Sequence, residues 1–297
     1  MADRQIFGLS AALVSPFTAD GAPDLPRLAR HAAWVLANGC DSLTLFGTTG
    51  EGFSIDLPDR TAMLGAVLDA GIDPGRIYGA VAAPAVSDAA AQARLILDAG
   101  GQGLLFTPPF YLKAPEDEGI FAWFSRAFEA IGPTLRNVIL YHIPGQTAVP
   151  LSPELVTRLR QAFPGVIAGI KDSSGDWATA ERFLAAHGDI AVLIGDERLL
   201  ARGIAKGAQG AICGLANFAP ELLVPVIHAG ADEPRVKPLV DLVVSNPVMP
   251  AVKALVAHRH RDPAYARTRP PLVDLDPARA AALIQAFDAR MAGAAAA

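Results

Sequence analysis

The chain has 297 residues, 52% of them hydrophobic and 19% charged, with a formal net charge of −5. That balance suits a globular protein and excludes the basic surface that a nucleic-acid partner requires. The two cysteines, Cys40 and Cys213, provide neither a disulfide framework nor a zinc site. No run of ~18 apolar residues marks a membrane span, and Met1 to Phe7 has no apolar signal segment. A cytoplasmic protein without a membrane partner is therefore expected.

Taken in order, the first apolar run is Gly8 to Val14, closed by Ser15-Pro16, and reads as a strand. Asp24 to Asn38 carries apolar residues at helical spacing and stops at Asn38-Gly39. Ser42 to Phe46 is the second strand, followed by the loop Gly47-Thr48-Thr49-Gly50-Glu51-Gly52. Pro58 to Ala70 is a helix with proline in its first turn. Arg76 to Ala82 is the third strand. Ser87 to Ala99 is a helix for which Ser87 is the expected N-cap. Gly103 to Phe106 is the fourth strand, and Thr107-Pro108-Pro109-Phe110-Tyr111 follows it. Asp117 to Ile131 is an aromatic-rich helix. Asn137 to Ile143 is the fifth strand, leading into Pro144-Gly145-Gln146. Ser152 to Phe163 is a helix that opens with a cap and a proline at its first position. Val166 to Lys171, Ile190 to Ile194 and Gln209 to Cys213 are strands six to eight, separated by helices over Asp176 to His187 and Arg198 to Lys206.

Strand then helix repeats eight times at ~25 to 30 residues per unit, which predicts a closed (β/α)8 TIM barrel over residues 1–218. The strands are continuous apolar runs, as a sheet buried on both faces requires. An open doubly wound sheet is the runner-up, but Ser15-Pro16-Phe17 stands where its glycine-rich phosphate turn belongs. Residues 219–297 read as helices alone: Pro220 to Ala229, Glu233 to Val244, Met249 to Ala257 and Pro277 to Met291. They predict a C-terminal helical extension packed on the barrel as one unit, with the alanine-rich 291–297 tail fraying.

Barrel enzymes keep their chemistry at the C-terminal strand ends. Those ends collect Thr48, Thr49, Tyr111, Tyr141, Gln146, Lys171, Ser173, Asp196, Glu197 and Gly214. Lys171 ends an apolar strand, where burial favours a neutral amine that can attack a carbonyl. To be neutral near pH 7, an amine must fall from about 10.4 toward roughly 7–8. The threonine loop can present hydroxyls and N–H groups to a carboxylate, or it can be a plain turn with its hydroxyls bonded locally. Tyr141 can relay protons at the neighbouring strand end or simply pack in the core. Tyr111 can reach over the same cavity, into a neighbouring subunit, or pack on the surface. Asp196 and Glu197 can hold substrate hydroxyls, although capping the next helix is the first reading. His142 should face the helices, and His258 and His260 lack a third ligand for a metal.

Three spaced motifs, Gly47-Thr48-Thr49-Gly50-Glu51, Tyr141 with Ile143-Pro144, and Gly169-Ile170-Lys171-Asp172, together resemble the dihydrodipicolinate synthase / N-acetylneuraminate lyase family. Thr107 to Tyr111, Gly195-Asp196-Glu197, Gly210-Ala211-Ile212 and Asn246-Pro247 with Pro250-Ala251-Val252-Lys253 support the likeness, which runs from about Gly8 to about Phe287. The resemblance implies a class I lyase that forms a Schiff base with pyruvate or another 2-oxo acid, using no metal and no organic cofactor. It implies a homotetramer built as a dimer of dimers.

By motif, Lys171 resembles the Schiff-base lysine, Tyr141 the proton relay, and Thr48 and Thr49 the carboxylate holders, with Thr48 also in the relay. Tyr111 resembles the relay tyrosine that crosses a dimer interface, and Ile212 a residue whose backbone helps hold pyruvate. Gln146 stands where dihydrodipicolinate synthases carry an arginine for their second substrate, and glutamine cannot form a charged fork. Gly52, Phe53, Leu57 and Arg60 replace the polar residues of the family's lysine-regulated site. Ser173 with Asp196-Glu197 resembles the sugar-acid positions of the lyase branch, yet Gly214 replaces its serine and Tyr141-His142 its Tyr-Asn. The resulting expectation is aldol cleavage, condensation or dehydration of a hydroxylated 2-oxo acid. Dihydrodipicolinate synthase itself and a non-catalytic barrel that binds a 2-oxo acid are the alternatives.

Overall fold

A computed structural model describes residues 6–293. Part of the alanine-rich tail expected to fray, residues 294–297, lies outside the described residues. Eight parallel strands close into a barrel in chain order: β1 (Gly8–Ala12), β2 (Ser42–Leu45), β3 (Ile77–Val81), β4 (Gly103–Phe106), β5 (Val138–His142), β6 (Ile167–Asp172), β7 (Ala191–Ile194) and β8 (Gly210–Cys213). The barrel closes through β1 and β8, with Ser10 beside Ile212 and Ala11 beside Cys213. The fold is a (β/α)8 barrel with C-terminal helices, as the repeat of apolar runs and helical stretches predicts.

The barrel helices are α1 (Leu25–Ala37), α2 (Leu57–Asp69), α3 (Val86–Asp98), α4 (Asp117–Ile131), α5 (Pro144–Thr147), α6 (Pro153–Ala162), α7 (Trp177–His187) and α8 (Leu200–Ala205). Their starts follow the expected chemistry in most cases. Asp24, Ser152 and Asp176 each accept a backbone N–H from the first turn of α1, α6 and α7. Ser87 is a correction. The helix begins one residue before it, Ala85 is the residue at the cap, and no side chain caps this end. The short α5 was not foreseen: at four residues it is too brief to show a helical period.

Two apolar layers share the strands. Strand residues facing outward pack with the helices in a large cluster that includes Leu43, Leu104, Ile170 and Val192. Those facing inward form a small one: Ala12, Ala80, Leu105, Ile139, Tyr141, Ile143, Leu193 and Ile212. Successive strand residues point to opposite faces. Tyr141 therefore lies inside the barrel, while His142 lies outside, edge-on to Phe183 and accepting the Leu151 N–H at 3.0 Å.

Four further helices follow: α9 (Pro220–Ala229), α10 (Val236–Val244), α11 (Val248–His260) and α12 (Pro277–Ala292). α9 packs beside β1, and α11 packs against the turn at Leu215–Asn217 that leaves β8. Residues of α10 and α11 thereby reach the C-terminal mouth of the barrel. Among the described residues, no helix is long and apolar enough to cross a membrane.

Candidate active site

β5 and β6 are neighbours, and their register sets Tyr141 opposite Lys171. Both side chains are almost fully buried. The Lys171 ammonium nitrogen donates to the Tyr141 hydroxyl at 3.1 Å and lies 4.2 Å from the centre of its ring. No carboxylate pairs with Lys171 among the described residues. Thr48 and Ser173 also hydrogen-bond the Tyr141 hydroxyl. Burial alone would raise the Tyr141 pKa, but the Lys171 charge and these three hydrogen bonds together bring it below its ordinary value.

A cavity of about 230 Å³ opens above this group. Thr48, Thr49, Tyr141, Gln146, Lys171, Ser173, Asp196, Glu197, Ile212 and Gly214 all line it. Nine of the ten strand-end residues singled out in the sequence are thus gathered at one mouth, and Ile212 joins them. Tyr111 is not among them. It is 80% exposed on the loop after β4, and its neighbour Phe110 instead lines an adjoining apolar chamber of about 360 Å³. Thr48, Tyr141, Ile143, Gln146 and Met249 are shared by the two spaces.

The threonine loop owes its shape to glycine. A Cβ at Gly50 would sit 2.4 Å from the Leu13 carbonyl oxygen, and one at Gly52 would sit 1.7 Å from that of Phe46. The Gly47 carbonyl accepts the Gly52 N–H, the Thr48 carbonyl accepts that of Glu51, and the Gly50 carbonyl accepts the Ser15 hydroxyl at 2.6 Å. These bonds fix the loop with Thr48 and Thr49 at the cavity, where hydroxyl donors suit a carboxylate.

The two carboxylates differ. Asp196 accepts the Arg198 N–H at 3.1 Å and is forked by the Arg198 guanidinium, so the capping reading describes it. Glu197 caps no helix of its own. One of its oxygens accepts the Leu215 N–H at 2.9 Å across the mouth. Burial raises its pKa, as it raises that of Cys213, which also lines the cavity. Gln146 is exposed at the rim on α5. Among the described residues, no arginine lines either space.

The residues that sequence reasoning missed come from the extension. Val240, Val243, Val248, Met249 and Val252 roof the cavity. Helical apolar spacing cannot distinguish packing on the barrel from lining a cavity. Lys253, by contrast, left a signal: a lone lysine inside the run Pro250 to Ala257 of α11, fully buried and paired with Glu51. Among the described residues, no group of three or more His, Cys, Asp or Glu side chains is arranged to hold a metal ion.

Residues 5–289 match the dihydrodipicolinate synthetase family. The chain belongs to that family. Its curated relatives include an uncharacterized DapA-like lyase of Chloroflexus aurantiacus, 33% identical over 96% of this chain and 97% of that one. A 4-hydroxy-tetrahydrodipicolinate synthase of an Anaeromyxobacter species is 32% identical over 76% of this chain and 75% of its own. Among solved structures, dihydrodipicolinate synthase from Agrobacterium tumefaciens superposes with a TM-score of 0.93 at 48% identity, covering 95% of this chain and 99% of that one. As a dihydrodipicolinate synthetase family member, the protein is a class I lyase of the pyruvate-using kind.

Proposed function

We propose that this lyase uses Lys171 as its Schiff-base residue, acting on a hydroxylated 2-oxo acid by aldol cleavage, condensation or dehydration. The observation that carries the reading is the buried Lys171 amine, 3.1 Å from the Tyr141 hydroxyl at the cavity floor and, among the described residues, without a carboxylate partner. In the condensing direction, the amine adds to the C2 carbonyl of pyruvate. The resulting hydroxyl takes a proton and leaves as water, giving an iminium. Loss of a C3 proton to a base gives an enamine, whose electrons form the new carbon–carbon bond to an aldehyde. Water then adds to the iminium and frees the lysine. Cleavage runs the same steps in reverse.

Tyr141 is the group we assign to the proton transfers at the carbinolamine oxygen, with Thr48 hydrogen-bonded behind it. Thr48, Thr49 and the Ile212 backbone hold the carboxylate. Ser173, Gln146 and Glu197 face the distal part of the substrate, and Asp196 lines the mouth with its carboxylate engaged by Arg198. Tyr111 acts from a neighbouring subunit in a homotetramer, a role its exposure on one chain leaves open to a second copy. Neither a metal nor an organic cofactor takes part, and the chain is one functional unit in the cytoplasm.

The names of its relatives favour a second reading, condensation of pyruvate with aspartate semialdehyde. That aldehyde carries a second carboxylate, and among the described residues no arginine lines the cavity to receive it, so we rank it second.

Borohydride reduction in the presence of pyruvate, followed by peptide mapping, tests the central assignment: a reduced adduct on Lys171 is expected. No adduct, or one on another lysine, overturns it. Turnover is then compared between aspartate semialdehyde and a panel of hydroxylated aldehydes. Efficient turnover with the semialdehyde alone reverses the ranking.

A further inference from the structure

We propose that the buried Glu51–Lys253 ion pair is a positioning device that sets the threonine loop in its carboxylate-binding shape. The loop is bracketed by two non-glycine residues held in the left-handed backbone region, Phe46 at φ 62° and Glu51 at φ 57°. Such backbone is unfavourable for L-residues and persists only where the surroundings over-determine it. Here they do. One Glu51 carboxylate oxygen takes the Lys253 ammonium, and the other takes the Arg269 backbone N–H at 2.8 Å. Glu51 and Lys253 are both fully buried. Phe17 seals the pair from beside it, with the Lys253 nitrogen 4.4 Å and the Arg269 guanidinium carbon 4.6 Å from the centre of its ring.

Arg60 grips the loop at both ends. Arg60 donates to the Gly52 carbonyl at 2.7 Å and stacks on Phe46 with its guanidinium carbon 4.8 Å from the ring centre. Thr48 and Thr49 thus sit between two anchored, strained residues.

Stability is a poor reason for placing a full charge pair here. Desolvation offsets much of a buried pair's attraction, and apolar replacements are often neutral or better. What the pair supplies is direction: a fixed Glu51 side chain, two residues from Thr49, tied to α11 and to Arg269 of the extension. Shifting it re-aims the donors that meet the carboxylate, while the Lys171–Tyr141 contact on β5 and β6 stays as it is. The inference rests on the reading of Lys171 as the Schiff-base residue.

The test measures reduced adduct on Lys171 against pyruvate concentration, a readout that needs no second substrate, in the wild type, Glu51→Gln, Lys253→Met and the double variant. The expected result is a rise of tenfold or more in half-saturating pyruvate for each single variant, with the maximal adduct yield per folded chain preserved. The double variant should match the worse single, not the product of the two. Should the neutral variants fail to fold, Glu51→Asp keeps the charge and withdraws it by one methylene, and a threefold to tenfold rise is expected. Half-saturation within twofold of wild type in the folded variants overturns the proposal. So does a yield that falls with the folded fraction while half-saturation stays fixed. An adduct on wild type with unchanged variants sinks this inference alone; no adduct on wild type sinks the Lys171 reading and this one with it.

Discussion

Tyr141 and Lys171 face each other across adjacent strands, so a change at either is felt directly by the other. Tyr141→Phe keeps the ring beneath the ammonium and removes only the hydroxyl. We expect the rate of pyruvate adduct formation to fall about 10²- to 10⁴-fold, the usual worth of a positioned proton donor, with the thermal midpoint nearly unchanged; rapid-quench reduction would measure it. Lys171→Met should abolish the adduct. A second residue-scale expectation concerns pH. Burial holds His142 down at about 4 and His31 down at about 3, both below the ordinary 6.5. Each binds protons less readily folded than unfolded, so each contributes stability above pH 6.5 that is lost as pH falls toward its folded value. For His142 the loss is on the order of 3 kcal/mol. Thermal midpoints measured from pH 7 down to 4 should drop, and His142→Gln should flatten part of that drop. At this scale the sequence was readable where a residue type clashed with its setting. Lys171 closing an apolar run did so; Cys213, Met249 and Val252 did not, because an apolar residue looks the same facing a core or a cavity.

The strands were legible because two-sided burial leaves them as unbroken apolar runs, and their order because each was followed by a helix. What periodicity could not carry was short or strained: α5, and the left-handed Phe46 and Glu51 that frame the threonine loop. Arg60 shows the same limit. From α2 it donates to the carbonyls of Ile55, Ala80 and Gly52 and is fully buried, with burial pushing its pKa down to about 10. Read along the chain, it was only one of four residues that replace the family's lysine-regulated site. Arg60→Met leaves three acceptors without their donor at roughly 1–3 kcal/mol each before any relaxation. A loss of about 3 kcal/mol or more is expected, read as a lower urea midpoint at constant slope.

For the molecule as a whole, closing the barrel turns eight distant strand ends into one mouth, and α10 and α11 supply its roof. The loop after β4 stands apart, with Tyr111 80% and Leu112 73% exposed. If a second chain covers this loop, as the proposed tetramer requires, sedimentation should find a four-chain species, and the pair Tyr111→Ala with Leu112→Asp should shift it toward smaller ones. Which apolar residues await a partner is not written in hydropathy, since most protein surfaces carry some.

The ion pair between Glu51 and Lys253 joins positions 202 residues apart. On a ribosome moving at 5–20 residues per second, roughly 10–40 s pass between the making of the two ends. The threonine loop, β5 and β6 all exist before the residue that fixes the loop has been added. A nascent chain can therefore hold its lysine and tyrosine and still lack a finished grip on a carboxylate. Competence arrives late, with the last fifth of the polypeptide, which makes the C-terminal helices the clock of this enzyme as well as its lid.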